Sequence, residues 1–349
     1  MKLIVDRLRE RHELAPEEFR ALLTTRDHQV ENYLIEQARN VAQHQFGTGI
    51  YLRGLVELSN VCRNDCLYCG IRRSNKGVSR YTLTREQVLA CCRQGYEIGF
   101  RTFVLQGGEW GEERSQWIAD LISDIKHNWP DCAITLSLGE HPHETYAMWR
   151  EAGANRYLLR HETHNERLYS LLHPRGMTIS NRLQCLEWLK GLGYQVGAGI
   201  MVGAPYQTIS NIIEDIEFLI RFKPHMIGIG PFIPQSDTPF GRFPAGSVDL
   251  TARIYAILRL AMPMALIPST TAMASLSSDG RLRGILAGAN VVMPNLSPAD
   301  TRRLYALYDN KASLGAESAQ GVRDLSDELS TIGYHIDWSR GDSPEIKNN

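Results

Sequence analysis

Eight short apolar runs recur along this chain between Tyr51 and Met293, separated by longer amphipathic segments. That alternation limits the possible folds more than any other feature. The runs predict strands at 51–58, 102–106, 133–138, 156–160, 195–201, 226–229, 266–269 and 291–293. They are nearly continuous in apolar residues, as strands covered on both faces are. Intervening segments such as LTREQVLACCRQGYEIG, SQWIADLISDIKHNW and SNIIEDIEFLIRF predict helices, and several end in a glycine suited to a helix C-cap. A parallel sheet closed into a (β/α)8 TIM-type barrel follows, an α/β fold. An open doubly wound sheet is the alternative. Its usual G-x-G-x-x-G turn after the first strand is absent, and a cysteine loop stands there instead.

Residues 1–46 predict an N-terminal helical segment packing on a barrel at 47–310. Pro16 followed by Glu17 and Glu18 suits a first helical turn, and Val30, Tyr33, Leu34, Ala38 and Val41 share one face. The C-terminal extension, 311–349, is polar and weakly patterned; a short helix at 320–332 and a loose end are expected. The 38 basic and 39 acidic side chains nearly cancel, so no field favours a nucleic acid partner. No run approaches the roughly 18 apolar residues that a membrane span requires. A cytoplasmic protein without a membrane partner is expected. There thiols stay reduced, and clustered cysteines more often mean metal than disulfide. Cys91, Cys92, Cys132 and Cys185 are expected as buried structural thiols.

The loop NVCRNDCLYCGIRRSN follows the first predicted strand, at the barrel face where active sites sit. It holds Cys62, Cys66 and Cys69. A zinc knuckle needs a fourth ligand, and no second Cys/His pair at suitable spacing follows. A redox pair would use Cys66 and Cys69 alone. An iron–sulfur cluster fits better, since thiolates hold its irons individually and three leave one iron open. Cys-x3-Cys-x-aromatic-Cys, with Tyr68 before the last cysteine, resembles the signature of the radical S-adenosylmethionine (SAM) superfamily. The resemblance implies one 4Fe-4S cluster whose open iron is chelated by SAM, and release of a 5′-deoxyadenosyl radical.

Other polar features fall just past predicted strands. QGGEW, with Gly107, Gly108 and Glu109, is either a tight turn with a helix-capping acid or a ligand cradle; the superfamily resemblance implies that it holds the SAM amino group. Thr135 and Ser137 alternate toward one face of the third strand. His141 and His143 read as capping or surface residues more than as a metal pair. Arg160, His161 and Glu162 crowd the rim after strand four. Arg160 either pairs with Glu162 structurally or binds an anionic substrate while Glu162 meets ribose or sulfonium. Arg182 is a candidate for the SAM carboxylate, and Gly197, Gly199 and Gly203 thin the wall where adenine would lie. Thr270 and Thr271 bind an anion or cap a helix.

VELSNVCRNDCLYCGIRRSN, TLSLGE, YLLRHET, GAGIMVG, GIGPFIPQSDTP, IPSTTAM and GANVVMPN together resemble the HydE maturase family of FeFe-hydrogenase assembly, in register from about residue 45 to 310. Biotin synthase and methylornithine synthase look similar in barrel and cysteine loop, less so in these segments. The resemblance implies a closed cavity and action on a cysteine-bound Fe(CO)2(CN) unit toward the diiron precursor of the H-cluster. It also implies the partner maturases HydG and HydF and a reducing electron donor. The cluster falls to Cys62, Cys66 and Cys69. Tyr68, Gly107, Gly108, Glu109, Thr135, Ser137, Glu162, Arg182 and Gly199 fall to the cofactor. Arg160, Met226, Thr270, Thr271, Met293, Tyr305 and Tyr308 would line the substrate cavity. Some members carry a second cysteine triplet after the last strand. YALYDNKASLGAESAQGV has no cysteine, so no second Fe–S cluster is expected.

Overall fold

The computed structural model describes residues 1–312 and 318–346. Three helices open the chain: α1 (Lys2–Arg11), α2 (Pro16–Thr24) and α3 (His28–Phe46). Pro16 takes the first position of α2, and the Asp27 carboxylate accepts the Gln29 N–H to start α3. The wall begins with β1 (Gly49–Leu52) and β2 (Gly54–Ser59), one strand broken at Arg53. It continues through α4 (Arg85–Ile98), β3 (Thr102–Gly107), α5 (Ser115–Asn128), β4 (Ala133–Ser137), α6 (His143–Glu151) and β5 (Arg156–Leu158). Next come α7 (Glu166–Leu172), α8 (Ile179–Gly191), β6 (Gln195–Ala198), β7 (Met201–Val202) and α9 (Ile209–Phe222). The circuit ends with β8 (Met226–Ile227), β9 (Gly230–Pro231), α10 (Val248–Ala261), α11 (Thr271–Leu276), α12 (Gly280–Leu286), β10 (Val291–Val292) and α13 (Ala299–Arg302). Helix α3 buries Val30, Leu34 and Ala38 and packs on α10.

Strands β2, β3, β4, β5, β6 and β8 pair in that order, all parallel, and β10 pairs parallel with β1. Bridges from Met226 to Leu266 and from Pro268 to Val291 put residues 266–268 in the seventh place. A bridge from Leu55 to Asn295 ties the last strand back to the first. The TIM-type barrel expected from the alternation is therefore present, with its first, fifth and sixth strands each broken in two. The fifth breaks at Gly199, where a Cβ would lie 1.9 Å from the Gly228 carbonyl oxygen.

The outward faces of the strands are apolar throughout, while the inward faces mix apolar side chains such as Leu158 and Met226 with polar ones. Phe103, Leu105, Ile134, Leu136, Tyr157 and Leu159 point outward into the core beneath the helices. Their neighbours Thr102, Gln106, Thr135, Arg156 and Arg160, together with Arg53 and Glu57, face the barrel interior. Most barrels fill that space with branched aliphatic residues. This one places charge and hydroxyls there as well.

The C-terminal segment returns beneath the barrel. α14 (Val322–Ser330) leads to β11 (His335–Asp337), which pairs parallel with β1. Trp338 packs edge-on against Phe100, ring centroids 6.2 Å apart. The fully buried Arg156 guanidinium donates to Asp342 Oδ1 (2.7 Å), to the Arg340 carbonyl (2.9 Å) and to Thr102 Oγ1 (3.0 Å). The loose end expected from composition is a plug in the barrel floor. Its partners lie more than a hundred positions upstream, beyond the reach of local pattern. Residues 313–317 and 347–349 of the expected extension lie outside the described residues.

Burial opposes ionisation of Asp342, but the Arg156 guanidinium prevails and its carboxyl is lowered to about 2. A depressed carboxyl adds stability above its unfolded value near 4, and loses it as pH falls through the folded value. Asp342→Asn is expected to cost on the order of 2 kcal/mol near neutral pH. Urea unfolding should show the variant and the native chain converging as pH drops from about 4 toward 2.

Candidate active site at the barrel mouth

The cysteine loop leaves β2 at Ser59 and is built from its own hydrogen bonds. The Arg80 guanidinium gathers the carbonyls of Asn60, Ile71, Arg72 and Asn75. Asp65 accepts from Arg72 Nε and from both the N–H and hydroxyl of Ser74, which holds its carboxyl well below the usual range. Leu67 N–H donates to the Leu172 carbonyl, and Tyr68 Oη lies 3.2 Å from His173 Nε2. None of these bonds uses a thiol, although the Cys62 sulfur accepts from the Asn64 and Glu109 backbone and the Cys69 sulfur from that of Ile71.

Burial pushes all three thiols up, Cys69 to about 12, and each is pushed further by nearby negative charge. For Cys66 that charge includes the other two sulfurs, while Arg182 pulls the opposite way. Among the described residues no three His, Cys, Asp or Glu side chains crowd close enough to share one ion. That is unlike a tetrahedral zinc site and compatible with a cluster that takes one iron per thiolate. Thiols that repel each other as thiolates fit a cationic metal group.

Gly108 is required by the loop itself: a Cβ there would lie 2.2 Å from the Val61 carbonyl oxygen and 2.8 Å from Cys62 Cβ. Glu109 is buried. Its Oε1 accepts from Arg63 Nε at 2.9 Å, and its Oε2 accepts the Glu140 N–H at 2.8 Å. Oε2 also presses on Gly139, at φ +92°, where a Cβ would be 2.1 Å away. Arg182, on α8, donates Nε to Glu140 and Nη1 to the Arg160 carbonyl. Asn181 also donates to Glu140.

After strand five of the element order, Glu162 sits at φ +63°, an uncommon conformation for a side chain of this size. Its Oε2 accepts from Arg160 Nη2 at 2.9 Å, and the same nitrogen donates to the Ile200 carbonyl at 2.7 Å. Behind this turn His161 and Asp215 are buried 3.7 Å apart. Burial pushes the histidine down to about 3 and the carboxyl up to about 8. Asp215 accepts the His164 N–H, clamping the turn to α9.

The barrel interior leaves buried polar atoms unpartnered: Thr135 Oγ1, Thr270 Oγ1, Arg160 Nε and Glu57 Oε2. Such atoms cost stability unless a bound molecule meets them, so they fit a polar guest inside the barrel. Thr270 occupies the N-cap position of α11 without a side-chain cap bond and lies against Gly230, while Thr271 begins the helix. Met226 accepts from Arg53 at the floor (2.9 Å), beside Met293. Tyr305 is buried, its hydroxyl 3.3 Å from Gln106 Nε2, and Tyr308 is half-buried on the same strap. Lys311 pins the strap by pairing with Glu57 inside the barrel. Ser137, half-buried, ends β4. His141 bonds Glu112 at 2.8 Å and His143 packs on Trp188, both structural contacts.

Glu140, Glu57, Lys311 and His173 were not singled out from sequence. Only Glu140 left a signal, one position past the glycine that ends the third strand.

Residues 56–219 match the model of the radical SAM superfamily. With the barrel and the three-cysteine loop at its mouth, this chain is a radical SAM enzyme. It is 43% identical over 302 residues to the FeFe hydrogenase maturase subunit HydE of Thermotoga maritima, covering 86% of each chain. It is 30% identical over 300 residues to 3-methylornithine synthase of Methanosarcina acetivorans, covering 85% of this chain and 83% of that one. The crystal structure of methylornithine synthase (PylB) superposes with a TM-score of 0.85 at 27% identity, covering 96% of this chain and 97% of that one. The chain belongs to the HydE family. No helix among the described residues is long and apolar enough to cross a membrane.

Proposed function

We propose that this chain serves assembly of the diiron subunit of the FeFe-hydrogenase active site, acting on a cysteine-bound Fe(CO)2(CN) precursor. The observation that carries the reading is the 43% identity to HydE, which spans cysteine loop and barrel alike. Cys62, Cys66 and Cys69 would hold one 4Fe-4S cluster, whose chemistry is one-electron reductive cleavage of the SAM bound to it. Glu109, with Gly107 and Gly108 behind it, offers a carboxylate to the SAM amino group. Arg182, kept in place by Glu140, faces the carboxylate, and Glu162 takes the ribose or sulfonium side. Arg160 keeps Nη2 on Glu162 and turns its unpartnered Nε–H to an anionic group of the substrate. Thr135 and Thr270 present free hydroxyls, Met226 and Met293 form the deeper wall, and the Tyr305–Tyr308 strap excludes water.

The lack of a second cysteine triplet supports a single cluster, with the Lys311–Glu57 pair pinning the stretch after the last strand. HydG and HydF are the expected partners. The test is activation of apo-hydrogenase by anaerobic mixtures of the three maturases. Activity should appear when this chain is present and vanish when it is left out. The second reading, an amino-acid mutase, rests on the 30% identity to 3-methylornithine synthase. Formation of 3-methylornithine, without hydrogenase activation, would favour it.

A further inference from the structure

Behind the Glu162 turn two fully buried polar side chains, His161 and Asp215, meet where three segments converge: the 160–164 turn, the break of the fifth strand at Gly199, and α9. His161 Nδ1 accepts the Gly199 N–H at 3.4 Å, which leaves the ring proton on Nε2. Nε2 faces Asp215 Oδ1 across 3.7 Å. The ring packs edge-on against Phe218, one turn further along α9, with centroids 4.8 Å apart. The Gly199 carbonyl in turn accepts the N–H groups of His161 (3.0 Å) and Glu162 (3.1 Å), and Asp215 takes the His164 N–H. The residues flanking Glu162 are thus tied to the strand break and to α9, while Glu162 itself keeps φ +63°.

Burial leaves the histidine neutral and the carboxyl, raised to about 8, protonated near neutral pH, so the contact is not an ion pair. An apolar pair would fill the same space at a lower desolvation cost. What the polar pair adds is direction. It fixes the backbone that carries Glu162 in a conformation such a side chain rarely adopts, and from which it would otherwise relax. Arg160 Nη2 bonds both Glu162 and the Ile200 carbonyl, so a shift of the turn would displace both inward-facing side chains at once. We infer that His161 and Asp215 are positioning residues for SAM: acting through the backbone of the turn, they hold the Glu162 carboxylate where the ribose or sulfonium side of SAM meets it. This inference rests on the reading of Glu162 as a SAM contact.

The test measures SAM affinity of the anaerobically reconstituted protein by equilibrium dialysis. KM and kcat of dithionite-driven SAM cleavage, and amide hydrogen exchange across residues 160–164 of the protein without cluster or SAM, are read beside it. The variants are His161→Phe, Asp215→Leu, Asp215→Asn, Glu162→Gln and the double variant His161→Phe with Glu162→Gln. His161→Phe and Asp215→Leu should each weaken SAM binding about tenfold and raise KM in step, with kcat little changed and exchange across the turn faster. Phenylalanine keeps a ring packed on Phe218, so His161→Phe carries the test if Asp215→Leu does not fold. Asp215→Asn keeps the shape, the acceptor for the His164 N–H and the neutral charge, so it should show native affinity and native exchange. Adding His161→Phe to Glu162→Gln should weaken SAM binding by no more than about twofold, because the histidine acts through the side chain already removed. Native SAM affinity in His161→Phe and Asp215→Leu, with Glu162→Gln impaired, would overturn the inference and leave the SAM reading standing. So would a double variant weakened by the same further factor as His161→Phe alone, or an Asp215→Asn as impaired as Asp215→Leu. Native affinity in Glu162→Gln would sink the reading of Glu162 and the inference with it.

Discussion

Cys66→Ala leaves the barrel folded while iron binding and SAM cleavage disappear together. The loop takes its shape from Arg80, Asp65 and backbone hydrogen bonds, none of which uses the Cys66 sulfur. Loss of a part-buried thiol should therefore cost no more than about 1 kcal/mol, a few degrees in thermal midpoint at most. Two thiolates cannot replace three, so the visible absorption of the reconstituted protein should fall away. Circular dichroism, iron analysis and assay for 5′-deoxyadenosine on one anaerobic preparation decide it. Retained cleavage in this variant would remove Cys66 from the cluster.

Glu140→Ala should be the most damaging single change to the mouth. Arg182 is buried, and its two hydrogen-bonded anchors are the Glu140 carboxylate and the Arg160 carbonyl. Truncating Glu140 leaves a buried guanidinium without its counter-charge, a loss of about 3–5 kcal/mol. Asn181 loses the same acceptor. Pairing Glu140→Gln with Arg182→Gln removes both charges and should cost less than Glu140→Ala alone, a non-additivity expected of an ion pair. Urea unfolding of the three variants at constant slope gives the comparison. If Glu140→Ala unfolds like the native chain, the pair contributes nothing to holding Arg182.

What the sequence made legible follows from how local each signal is. The barrel was readable because strand and helix alternate with short connections, and the outward faces of its strands are apolar. The cysteine loop was readable because its ligands sit four and three positions apart. The Arg160–Glu162 pair spans two positions, and the mutual ion pair foreseen as one of its two readings is present. Contacts between distant segments were not readable. Arg182 finds Glu140 across 42 positions, and Glu57 finds Lys311 across 254. The floor plug was missed for the same reason. Arg156 opens the fourth predicted strand and Asp342 falls in the expected loose end, and the fold sets them 2.7 Å apart. The two glycines after the second strand were foreseen as a place for close approach, and for Gly108 the close neighbour is the cysteine loop itself.

The most direct test of a one-cluster radical SAM enzyme is iron content measured with SAM cleavage on the same anaerobically reconstituted, dithionite-reduced sample. The native chain should hold about four irons and release 5′-deoxyadenosine from SAM. About eight irons would contradict the single cluster, and four irons with SAM left intact would contradict the assigned chemistry.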